Sequence, residues 1–179
     1  MSDETEQYIF ECQSNPDDTI TLRIMEYATQ EALRFGKSGP YGLEITIPRA
    51  SVLYLRSKED TPDEMQVTVN TPGGSVYFPV PIMKMQKYDL EQIFEKRLYF
   101  LLPFYIFTLE KKFREYERNP EKLEELKKVY EDILYRMDQL VKDGQMTAYE
   151  QLTLIDMMKR VLNGIARKYD KVRKGECCI

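Results

Sequence analysis

The first clear pattern in the chain is an alternation. In YIFECQ (8–13) aromatic, branched and polar side chains alternate with a period of two, which predicts a β-strand. SNPDD (14–18) has the composition of a turn, and Asp18 or Thr19 is placed to cap a helix reaching about Phe35, where GKSGP (36–40) ends it. Two further strands are predicted over 43–47 and 51–56, with Pro48 between them. Alternation returns at 65–70 and 75–80 around TPGG (71–74), a β-hairpin whose turn reads as longer than the two-residue ideal and leaves the register open.

From Asp89 the period changes. Asp89 caps a predicted helix over 90–97, and the apolar stretch to Phe107 is expected to continue it with a kink before Pro103. Leu123, Leu126, Tyr130, Ile133, Met137 and Leu140 recur at intervals of three and four. Asp143 and Gly144 then turn the chain, Thr147 and Glu150 have the spacing of a capping box, and Ile155, Met158, Leu162, Ile165 and Tyr169 repeat the helical interval. Two such helices joined by a short turn predict an antiparallel helical hairpin. The expected organisation is α/β: a sheet-and-helix core with a β-hairpin over 1–88, then an all-helical extension over 89–175.

Composition narrows the chemistry. The 179 residues include no His, which excludes imidazole-dependent nucleophile pairs and His-ligated zinc. Cys12, Cys177 and Cys178 cannot build a disulfide framework and no leader pattern opens the chain, so a cytoplasmic location is expected. The apolar run over 98–109 has twelve residues and contains Pro103, too short for a bilayer, so a buried helix is expected there and no membrane role. A net charge of −4 argues against indiscriminate nucleic-acid binding. Charge is nevertheless uneven: residues 1–18 carry six acids and no base, and residues 159–174 carry seven bases and one acid. That basic end suits phosphate, or equally the solvated face and C-terminus of a last helix.

On the first strand, alternation puts Ile9, Glu11 and Gln13 on one face and Tyr8, Phe10 and Cys12 on the other. A carboxylate beside a carboxamide, on a strand expected to be central, needs a partner if it is buried. Mg²⁺ would supply one, with Glu11 as a hard oxygen ligand and Gln13 orienting a bound water. A plainer arrangement leaves Glu11 at an exposed strand end, meeting solvent or an Arg. On the following helix Arg23, Tyr27, Gln30 and Arg34 form one polar, cationic stripe, while Ile24, Ala28, Ala32 and Phe35 are expected to pack on the sheet. The stripe suits a phosphate-facing layout, and Arg23 is equally placed to pair with Glu26 or Glu11.

A series of motifs then resembles one family from about Tyr8 to Arg173. These are FECQS (10–14), LRIMEY (22–27), SVLYLR (51–56), NTPGGS (70–75), VPIMK (80–84), EQIFEK (91–96), LLPFYIF (101–107), LEELK (123–127) and IDM (155–157). Their order resembles the PD-(D/E)XK nuclease family of transposases, also called recombination-promoting nucleases. The resemblance implies a partial restriction-endonuclease-like core and a DNA endonuclease using Mg²⁺ or Mn²⁺. In such a core two acids on neighbouring strands hold the metal, and a Lys follows two positions after the second acid.

By that resemblance Glu11 is the second acid, a catalytic residue and metal ligand, and Gln13 stands at the Lys position. Gln can position an attacking water but brings no charge to stabilise hydroxide. Arg23 and Tyr27 match the Arg and Tyr expected to contact DNA phosphate. The first metal aspartate belongs on a strand before Glu11, yet only ten residues precede it. Asp3 is the one early aspartate and the weaker candidate for that metal ligand, because DETE (3–6) reads as a turn and not as the missing strand. The chain is therefore expected to be truncated at both ends and to lack the two-acid clamp. The alternative class is a non-catalytic module in which the helical hairpin mediates protein interaction or a homo-oligomer.

Overall fold

The structure, a computed structural model, describes residues 7–15 and 19–174. It is mixed α/β, and the chain divides between Lys84 and Met85 into two compact units. The first contains β1 (Tyr8–Gln13), α1 (Ile20–Arg34), β2 (Lys37–Gly39), β3 (Gly42–Glu44), β4 (Arg49–Tyr54), β5 (Glu64–Thr71) and β6 (Gly74–Lys84). Four strands form one sheet in the order β1-β4-β6-β5, with β1, β4 and β6 parallel and β5 antiparallel to β6.

The parallel pairing of β1 and β4 follows from what lies between them. A parallel neighbour needs a long crossover, and α1 supplies it. The later strands of this sheet, β4, β6 and β5, all lie on the same side of β1, so among the described strands β1 is at the sheet edge and not central as expected. One face of the sheet packs against α1. Ile20 and Ile24 meet Ala50, Val52 and Tyr54 of β4, Val67 of β5, and Val80 and Ile82 of β6, with Ile9 of β1 half-buried beside them. Ala28 and Ala32 are buried as expected, but Phe35 is 58% exposed and lies under the Arg34 guanidinium, 5.2 Å from its ring centroid. Thr19 stands at the N-terminus of α1 in a helical conformation and its side chain makes no cap bond.

The strand expected at 43–47 is shorter. β3 ends at Glu44 and pairs with β2 in a separate two-stranded sheet. Gly36 is required where that sheet leaves α1, because a Cβ there would stand 2.9 Å from Ile45 Cγ2 and 3.1 Å from the Ala32 carbonyl oxygen. The β5–β6 hairpin is tighter than the sequence suggested. Thr71 pairs with Gly74, so only Pro72 and Gly73 connect the strands, and Gly74 takes a φ of 137° that L side chains rarely adopt. Pro79 and Pro81 have no N–H to donate. The Ile82 N–H is directed to the Asp63 carbonyl oxygen on the β5 side, so the positions of the missing N–H groups face β4. Pairing of β6 with β4 accordingly begins only at Ile82.

The second unit contains α2 (Leu90–Glu95), α3 (Ile106–Leu109), α4 (Phe113–Arg118), α5 (Pro120–Lys142), α6 (Ala148–Ile165) and α7 (Asp170–Lys174). Asp89 Oδ1 accepts from the Gln92 N–H at 2.8 Å, and Thr147 with Glu150 forms the expected capping box. Asn119 caps α5 and Pro120 is its first residue, so that helix starts earlier than its apolar repeat. The expected continuous helix through 90–107 does not form. Arg97, at a φ of 57°, ends α2, and residues 99–104 coil into a 3-10 segment that includes Pro103 before α3. The apolar run is still core: Leu101, Leu102, Ile106 and Phe107 are buried. Likewise α6 stops at Ile165, and Tyr169 beyond it packs edge-on to Phe113 with ring centroids 5.5 Å apart. Among the described residues no helix is long and apolar enough to cross a membrane.

Candidate phosphate-facing site

Strand alternation and one helical turn assemble the site. Glu11 lies opposite Val52 and Gln13 opposite Tyr54 in the parallel register, so both side chains sit on the α1 face beside buried residues. Ile20 and Ile24 fix α1 on the sheet and bring Arg23 toward the same two residues. Arg23 Nη2 donates to Gln13 Oε1 at 2.6 Å and stands 3.4 Å from Glu11 Oε1. The Glu11 side chain is 23% exposed and that of Arg23 35%, so this is a partly screened ion pair at the sheet edge. Arg23 Nε is buried with no hydrogen-bond partner.

The rest of the stripe turns outward. Tyr27 is 41% exposed, Gln30 is exposed, and Arg34 is exposed with its Nη1 3.6 Å from Glu31. The structure therefore brings Glu11, Gln13 and Arg23 together and leaves Tyr27 one turn further along α1. Asp3 lies outside the described residues. Cys12 is on the opposite face. Cys12 is an exposed residue, and partial desolvation of its thiol, with the Glu11 charge second, raises its pKa.

A divalent metal fits these residues poorly. Glu11 offers one carboxylate and is already engaged by a guanidinium. Among the described residues no group of three or more acidic or cysteine side chains is placed to hold a cation.

A second feature was not anticipated. A cleft of about 790 Å³ opens beyond the carboxyl ends of β1 and β4, bordered by Asn15, Thr21, Tyr54, Arg56, Lys58 and Met65. Lys84 pins its outer loop: the side chain is buried, its Nζ is 2.8 Å from Asp63 Oδ1, and it also donates to the Thr61 carbonyl oxygen. A signal for this existed in the sequence, since Lys84 continues the core-facing alternation of Val80 and Ile82 on β6. A cation at such a position needs a buried partner.

The chain matches no protein-family model, no curated protein and no solved structure.

Proposed function

We propose that the first unit is a DNA-engaging module on a nuclease-type β-α-β scaffold, in which α1 meets backbone phosphates and the described residues do not hydrolyse them. Support comes from the ordered motifs of the nuclease family and from the succession of β1, α1 and a parallel β4. The observation that carries the reading is the row on α1: Tyr27, Gln30 and Arg34 follow at helical spacing and are exposed, beyond an Arg23 that is itself engaged by Glu11 and Gln13. Phosphate contacts of this kind position a protein on DNA without selecting sequence.

The test is fluorescence anisotropy with a labelled DNA duplex over a salt series, together with plasmid nicking in Mg²⁺ or Mn²⁺. Salt-sensitive binding is expected, and Arg34→Gln should weaken it across all sequences and reduce the log–log salt slope by about 1. No nicking is expected. Absence of binding at low salt, or binding that Arg34→Gln leaves unchanged, would overturn the reading. Metal-dependent nicking abolished by Glu11→Ala would restore an active nuclease instead.

A further inference from the structure

We propose that Arg23 is a built-in cation occupying the place that a divalent metal would take between Glu11 and Gln13, so that this site excludes metal. Glu11 Oε1 and Gln13 Oε1 are oxygens a hard cation would need, and Arg23 Nη2 stands 3.4 Å from the first and 2.6 Å from the second. Glu11 and Arg23 cancel in charge, so the pair presents no net negative field to draw in a dication.

The guanidinium is held by more than its ion pair. Its helix is anchored by Ile20, Ile24 and Ala28, all buried, so its Cα cannot retreat without uncovering the core. Its Nε is buried and unpaired. That cost is offset by the bonds of Nη2, because removing Arg23 would leave the half-buried Glu11 without its cation. A cation from solution would have to break both contacts and then occupy the same space. The inference concerns residues shared with the DNA reading but rests on this geometry alone, so its test contains no DNA and the two can fail separately.

The experiment is Mn²⁺ titration of the ¹⁵N-labelled full chain, following paramagnetic broadening of the amides of residues 10–13 and 52. Wild type and Arg23→Lys should show no broadening there that depends on Glu11. Arg23→Gln should acquire such broadening, and Glu11→Gln added to it should abolish the effect. Arg23→Met, which keeps the apolar stem, replaces Arg23→Gln if circular dichroism shows the latter misfolded. Broadening in wild type that Glu11→Gln removes would overturn the proposal. So would a folded Arg23→Gln or Arg23→Met that gains none, since another feature would then be excluding the metal.

Discussion

Arg97 and Gly144 occupy the same position in the same helix-ending motif. The Arg97 N–H bonds to the Phe94 carbonyl oxygen at 3.2 Å and the Leu98 N–H to that of Ile93 at 2.8 Å. At the end of α5 the Gly144 N–H bonds to Val141 at 3.1 Å and the Gln145 N–H to Leu140 at 2.8 Å. Both central residues are left-handed, with φ of 57° and 68°. Glycine takes this conformation without a Cβ penalty, and arginine does not. Arg97→Gly is therefore expected to raise stability by about 1 kcal/mol, read as a higher urea midpoint at unchanged m-value. A lower midpoint would mean that the Arg97 side chain contributes more than its backbone costs. The same contrast explains why the helix expected to continue to Phe107 stops at α2. Gly144 was recognisable as a stop because of its residue type, whereas nothing about Arg97 in the sequence signals that the helix ends there.

At the scale of elements, some local signals were legible in the sequence and others were not: Thr147 caps its helix, whereas Thr19 makes no cap bond. The expected cap at Asp89 and capping box at Thr147 are both present, and Gln92 completes a box at Asp89 as well. The inward face of α1, with Ile24, Ala28 and Ala32, follows from helical spacing. Three features needed tertiary information: the edge position of β1, the outward turn of Phe35, and the choice of Glu11 and Gln13 over Glu26 as partners for Arg23. Each depends on how α1 and the strands pack on one another, which local spacing does not encode. The Thr147 cap also has a titration signature. The Thr147 backbone N–H, and then its hydroxyl, hold the Glu150 carboxyl below its ordinary value of 4.5. Since the folded state favours the charged form, this contribution is present above that value and is lost as pH falls through the lowered one. The stability advantage of wild type over Glu150→Gln should therefore be largest near neutral pH and shrink on acidification below about 4.5, followed by thermal melts of the full chain. A difference independent of pH would show that the carboxylate charge contributes nothing to the cap.

For the molecule as a whole, the division at Lys84 separates two kinds of construction. Residues from Met85 onward carry their own apolar interior, with Ile93, Leu101, Leu102, Ile106, Phe113, Leu126, Ile133, Met137, Met158 and Leu162 buried. Within that unit Arg136 ties α5 to α2, standing 2.5 Å from Glu91 and 5.2 Å from the Phe94 ring centroid. Glu117 of α4 receives the Lys171 N–H at the start of α7 at 2.9 Å. A chain of residues 85–179 expressed alone should give a helical circular-dichroism spectrum and a cooperative melt; a gradual, non-cooperative melt would show that its interior depends on the first 84 residues.

The two prolines of β6 have a consequence for how the sheet comes apart. They leave the β5–β6 hairpin fully paired within itself, yet joined to β4 at only three positions, Val52 with Ile82, Leu53 with Met83 and Tyr54 with Lys84. Any opening of the sheet starts where the fewest backbone bonds must break together, and that place is this short junction. Parting there also uncovers Val67, Val80 and Ile82, which pack with Ile20 and Ile24 of α1, so the seam is held by side chains more than by backbone bonds. The Lys84–Asp63 contact joins the end of β6 to the residue before β5, so it closes the hairpin on itself and does not cross the seam drawn by Pro79 and Pro81.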